Sequence, residues 1–183
     1  IINAYVAGGQ NLFLFTGLIL VCDNPNMLLG VLAHETGHIA AGHLLRGRTE
    51  MSSLSMQAML TNLLGIAVGI GARSGSAGMA VSSLGSTVAT RDFLRHTRTQ
   101  EGSADQAGVR FLKGAGLPLS GFLSFMEKLE SQELLPESQQ SEYVRTHPLT
   151  QDRVSFLADA AQRSPGGSIP PQWQTLHARV KAK

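Results

Sequence analysis

Among the motifs of this chain, "HETGH" at 34–38 restricts the fold most. His34 and His38 stand four positions apart, so on a helix at about 3.6 residues per turn both imidazoles share one face, one turn apart. Both then reach a single metal ion at ~2.0–2.1 Å. Glu35 lies about 100° round from His34, beside that ion rather than on it. From there it can take a proton from water that the metal activates, which is the mechanical content of H-E-x-x-H. The small residues Ala33, Gly37, Ala40, Ala41 and Gly42 let other backbones approach this helix. "CDNPN" supplies cap residues and a proline for its first turn, predicting a helix from Pro25 to Leu45, with Leu28, Leu29, Leu32 and Ile39 as its apolar residues and Gly47 as its stop.

Two histidines do not complete a catalytic zinc site, which takes three protein ligands and an open position. His43 is the nearby candidate. The extended H-E-x-x-H-x-x-G-x-x-H pattern would place glycine at 41 and histidine at 44, where this chain has Ala41 and Leu44. On a continuous helix His43 points about 140° away from His38. It therefore reads as a polar residue near the helix end, close to the carbonyl dipoles. The better third ligand is Glu101 in "QEGSADQAG", with Asp105 one turn later on the same face. Asp105 is placed to accept the second N–H of a ligand histidine and fix its orientation. Ala104 and Gly108 allow this helix to press on the first.

The rest of the chain frames the site. Residues 3–20 read as two strands around Gly8-Gly9, residues 91–113 as a charged helix, 114–120 as a loop, and 121–131 as a short helix burying Phe122, Phe125, Met126 and Leu129. A turn at 146–153 leads into a last helix. No charge occurs between Glu50 and Arg73, or between Arg73 and Arg91. Residues 51–90 are thus expected to be helices packed on the domain or a partner, or a membrane-surface patch. The 183 residues, 43% apolar and 15% charged, exclude a disordered chain. The 15 basic residues form no dense run, which argues against nucleic acid as a partner. The lone Cys22 makes no internal disulfide and reads as a core residue. The chain opens at Ile1 without a signal-peptide pattern and is expected to be a fragment or a trimmed form.

Four segments resemble the M48 family of zinc metallopeptidases: "NAYVAGGQNLFLFTGLI", "LLGVLAHETGHIAAGHL", "RTQEGSADQAG" and, more weakly, "THPLTQDR". The likeness covers about residues 3–160 and is greatest to the family's bacterial periplasmic branch related to outer-membrane assembly. It implies an α+β, zincin-like (gluzincin) domain over 1–163, mostly helical with a small antiparallel hairpin at the cleft edge, its N-terminal helical part missing. Residues 164–183 are expected to be a linker or tail. It implies one zinc ion per chain, held by His34, His38 and Glu101, and Glu35 as general base of a metalloendopeptidase. It implies a periplasmic or envelope location and an extended or misfolded polypeptide as substrate, with 51–90 as the surface for any membrane or envelope-protein contact. In the family the last histidine of the motif, here His43, is not a ligand. Ser103 stands where the family often has glutamate, which touches no ligand.

His147 and Arg153 belong to the weaker segment. His147 either faces the cleft as a transition-state donor, takes the fourth metal position and closes the site, or is an exposed histidine on a capping turn. Arg153 either stabilises the developing oxyanion or pairs with a carboxylate, and Tyr143 is a further oxyanion candidate. His96 and His177 read as surface residues. Two other functions fit the same residues: a latent zinc-binding chaperone or assembly factor closed by His147, and a structural metal beneath a functional 51–90 patch.

Overall fold

The computed structural model describes the backbone of residues 1–8 and 10–182, and their side chains except 44–55, 57, 58, 85, 86, 88–93, 95, 96 and 137. Two strands, β1 (Ala4–Ala7) and β2 (Asn11–Leu14), pair antiparallel with Ala4 opposite Leu14 and Tyr5 opposite Phe13. Gly8 takes φ +59 at the turn, the left-handed conformation expected of it, while Gly9 lies outside the described residues. The second strand is shorter than the sequence suggests. Thr16–Val21 is helix α1, although its isoleucine and valine favour strands. A side chain at Gly17 would meet the Ile1 carbonyl, so α1 lies closely against the backbone at Ile1.

Helix α2 (Pro25–Ala40) begins as expected, with the Asn24 side chain accepting from Met27 N at 3.1 Å and Pro25 in its first turn. It ends earlier than Leu45. Gly42 adopts φ +65 and breaks the chain, so His43 opens helix α3 (His43–Gly71) instead of closing α2. The buried side of α2 also differs from expectation. Met27, Gly30, Val31, His34 and Glu35 turn inward, whereas Leu28, Leu29, Leu32 and Ile39 are only partly buried. The helix buries its chemistry and its glycines and leaves its larger apolar residues nearer the rim.

Contacts divide the chain into two units, residues 1–42 with 101–183 and residues 43–100. In the second, α3 is followed, after a turn in which Arg73 holds φ +49, by the first part of α4 (Gly75–Gly114), whose residues 101–114 belong to the first unit. The two helices meet through Gly65, Gly69 and Gly78, where an added Cβ at Gly65 would sit 2.8 Å from the Gly78 carbonyl. Met56, Met59, Leu60, Leu63, Ile66 and Ile70 stay exposed. Among the described residues no helix is long and apolar enough to cross a membrane. His96 lies outside the described side chains.

In the first unit, α2 packs against α5 (Ser120–Glu133), and α5 in turn against α7 (Gln151–Arg163). Phe122, Phe125, Met126 and Leu129 are all fully buried, each worth roughly 1.5–3 kcal/mol of apolar transfer. Backbones touch where glycine permits: a Cβ at Gly30 would lie 2.5 Å from Phe122 Cα, and one at Gly37 would lie 2.6 Å from the Ala104 carbonyl. Besides α1, two helices exceed the sequence reading. One is the short α6 (Glu142–Thr146), and the other is α8 (Pro171–Lys181), within the stretch expected to be linker or tail. Residues 164–170 are irregular, as expected of a linker. Because α8 packs on α1 and α2, His177 is buried, contrary to the surface position expected of it.

Candidate metal centre

Three elements of the first unit bring the site together. Helix α2 carries His34, Glu35 and His38; the 101–114 portion of α4 carries Glu101 and Asp105; and the stretch from α6 into α7 carries Tyr143, His147 and Arg153. Close approach of α4 to α2 depends on small residues, since Gly37 abuts Ala104 and Gly108 abuts Ala33 and His34. These are the residues whose size suggested that contact.

The donor atoms converge. His34 Nε2 lies 3.1 Å from His38 Nε2, and Glu101 approaches them at 3.3 Å each, through Oε2 and Oε1 respectively. Ligand atoms about 2.0–2.1 Å from a tetrahedral ion are separated by about 3.3 Å, so this spacing suits one shared cation. His147 adds a fourth donor, and one ligand atom from each of the four residues lies within 4.8 Å of the others. One orphaned atom gives independent support: among the described residues Glu35 Oε1 is buried without a hydrogen bond, whereas Glu101 Oε2 already faces Arg153 Nη1 at 3.0 Å. A buried carboxylate oxygen left this way calls for a donor or a positive partner. A set of two histidines and one glutamate matches the chemistry of a zinc site.

The surroundings fix the protonation pattern. Asp105 Oδ1 lies 2.8 Å from His34 Nδ1. An ionised carboxylate only accepts, so His34 carries its proton on Nδ1 and, when neutral, turns the Nε2 lone pair to the shared centre. Burial alone would depress His34. Its hydrogen bonds to Asp105 and Glu101 outweigh that and raise it to about 9, a proton standing where the carboxylates call for positive charge. Burial opposes ionisation of both acids, yet His34 and His38 hold Glu101 well below the usual carboxylate range, and Arg153 with His34 holds Asp105 down. Glu35 moves the other way: burial raises it, the direction useful to a group that must accept a proton and release it.

Arg153 serves the carboxylates. Its Nε donates to Asp105 Oδ2 at 2.6 Å, Nη2 to Asp105 Oδ1 at 2.9 Å and Nη1 to the Pro148 carbonyl at 2.7 Å. Nη1 also lies 3.0 Å from Glu101 Oε2. Of the two roles open to it from sequence, the geometry displays carboxylate pairing. His147 is buried rather than exposed. Its Nε2 lies 3.3 Å from Glu35 Oε1, and burial pushes its ring down to about 3, so it is neutral near pH 7. Tyr143 stacks on His147 with ring centres 4.5 Å apart, and its buried hydroxyl has no hydrogen-bond partner among the described residues. His43 is not among the converging donors.

Sequence reasoning missed the support of the His147 turn. At the end of α5, Gln132 Oε1 accepts from Ser141 N at 3.0 Å and Glu133 Oε2 accepts from Leu149 N at 3.2 Å, gripping both ends of the 141–149 stretch. Ser141 also caps α6 by accepting from Val144 N. A helix of five residues is too short for periodicity to reveal; its local signals are the serine cap, Glu142 in the first turn and Arg145 in the last.

Comparison with known proteins gives a consistent result. Residues 1–161 match the family described as Peptidase family M48. The beta-barrel assembly-enhancing protease of Escherichia coli (strain K12) is 34% identical over 164 residues, covering 89% of this chain and 32% of that protein. The putative beta-barrel assembly-enhancing protease of Vibrio cholerae is 27% identical across 100% of this chain and 37% of its own length. Metalloprotease LoiP of Escherichia coli is 28% identical over 160 residues, covering 86% of this chain and 58% of that protein. The chain thus spans about a third of the length of the beta-barrel assembly-enhancing proteases it matches.

Proposed function

This chain belongs to peptidase family M48, and from that premise we propose that it is a zinc-dependent endopeptidase domain of gluzincin type. The observation that carries the reading is the convergence of His34, His38 and Glu101 beside an orphaned, buried Glu35. In this reading His34 Nε2, His38 Nε2 and a Glu101 oxygen hold one zinc ion. A zinc ion so held supplies Lewis acidity, polarising a carbonyl and acidifying water toward neutral pH. Glu35 takes a proton from the attacking water as the new C–O bond forms, and delivers it to the leaving amine as the C–N bond breaks. Asp105 keeps His34 in its ligand tautomer. Arg153 acts as a positioning residue behind Asp105 and Glu101.

A two-stranded sheet has unpaired outer edges, so an extended substrate can add to the β1–β2 hairpin through its backbone. Such binding suits unfolded polypeptide over a fixed sequence. Relatives named for enhancing β-barrel assembly support a place in the bacterial periplasm or envelope and a role in protein quality control there. The exposed apolar residues of α3 offer a surface for envelope contacts.

The test is cleavage of an unfolded substrate such as casein by wild type and Glu35→Gln, with zinc measured in each. Wild type should cleave with one zinc per chain; Glu35→Gln should retain zinc and lose about 10²–10⁴-fold in rate. Full zinc-dependent cleavage by Glu35→Gln would overturn the mechanism.

His147 also brings a donor atom to the centre; were it to take the fourth metal position, the site would be latent. His147→Ala then raises cleavage; a fall instead assigns it to substrate.

A further inference from the structure

Thr146 closes α6 next to His147 of the metal centre. Its Oγ1 lies 2.9 Å from the Glu142 carbonyl, 3.2 Å from the Tyr143 carbonyl and 2.9 Å from His147 Nδ1. A hydroxyl has one proton to give and lone pairs to receive. Carbonyl oxygens only accept, so while the hydroxyl donates to either of them it must accept at His147. His147 then carries its proton on Nδ1, and Nε2 is bare.

The opposite arrangement puts the proton on Nε2, facing Glu35. Geometry speaks against it. Glu35 Oε1 is only 3.3 Å from Nε2, yet finds no hydrogen bond there, because a ring N–H lies in the ring plane and does not aim at that oxygen. Stacking by Tyr143, with planes 21° apart, holds the ring in this orientation.

We propose that Thr146 is a positioning residue that fixes His147 as its Nδ1–H tautomer, so that Nε2 presents a lone pair to the His34–His38–Glu101 centre. His147 then meets that centre as an acceptor, able to ligate a cation or receive a proton, and not as a donor to a substrate oxygen. The inference deepens the reading of the site as a metal centre and rests on it for what the bare nitrogen faces.

Long-range proton–nitrogen correlation spectra of the folded, metal-free protein test it directly, because protonated and bare ring nitrogens resonate far apart. Wild type should show His147 with a protonated Nδ1 and a bare Nε2. Thr146→Val, which keeps shape and loses the hydroxyl, should exchange the two signals, while Thr146→Ser should restore the wild-type pattern. A protonated Nε2 in wild type, or an unchanged pattern in Thr146→Val, overturns the proposal. The protease reading fails separately: zinc-loaded wild type that leaves casein intact would sink it without moving these signals.

Discussion

Asp105 Oδ1 lies 2.8 Å from His34 Nδ1, and Arg153 grips both oxygens of the same carboxylate from the other side, at 2.6 and 2.9 Å. The carboxylate therefore joins a candidate metal ligand to a buried cation. Asp105→Asn keeps an acceptor for His34 and removes the charge. Loss of such outer partners typically weakens metal binding about 10–100-fold. Competition with a chromogenic chelator should show that loss, and thermal melts should show reduced stability because Arg153 is left partly uncompensated. Unchanged zinc affinity would remove Asp105 from the site's design.

Much of this arrangement is legible in the sequence, for a physical reason. Spacing within one helix is set by backbone geometry, so the relative positions of His34, Glu35 and His38 follow from their numbering alone. Glu101 and Asp105 follow from the same rule on a second helix, and Ala104 and Gly108 mark the contact between the two. Tertiary effects are not legible. Gly42 and Gly47 are equally good stops by composition, and only Gly42 takes the left-handed turn that ends α2. The run Thr16–Val21 favours a strand locally but is a helix lying against the backbone at Ile1. His177 reads as surface because nothing local announces that α8 folds back on α1 and α2.

Gly37 should resist substitution despite its helical position. Alanine gains about 1 kcal/mol of helix propensity there. Its Cβ, however, would stand 2.6 Å from the Ala104 carbonyl and 3.0 Å from Ala104 Cα, both on backbone that cannot swing away. Overpacking of this kind costs about 1–3 kcal/mol, so the clash should win. Gly37→Ala is expected to melt earlier and bind zinc less tightly, since the displaced helix carries Glu101. Gly102→Ala is the control: no described atom lies within 4 Å of its Cβ, so the propensity gain should appear as a higher Tm. Equal melts for the two variants would refute the packing argument.

Cys22 should be chemically silent in the folded protein. It is fully buried, and burial pushes its thiol up to about 11 although Lys181 and Lys128 pull it down. A thiol reagent at pH 8 should label the native chain slowly and the denatured chain at once. The stability linkage has a definite sign. Between the ordinary value of 9.0 and about 11 the unfolded chain loses a proton that the folded chain keeps. Stability should therefore fall as pH rises through that window, and Cys22→Ala should flatten the slope. Rapid native labelling would show that the core around Cys22 opens.

Removing the metal should loosen the site without unfolding the domain. The apolar core around Leu18, Val31, Phe122, Phe125, Leu129 and Leu157 forms without any of the donor atoms, so chelation leaves the helical circular dichroism intact. The site itself loses a stabilising ligand. At a free zinc concentration 100-fold above Kd, binding contributes about 2.7 kcal/mol. For a domain of this size that is a fall in Tm of roughly 5–10 °C on chelation, restored by added zinc. Glu35→Gln should show the same shift, because its role in the proposed chemistry is proton transfer and not ligation. Loss of the helical signal on chelation would instead make the metal a structural nucleus, and would move the search for function to the exposed apolar residues of α3.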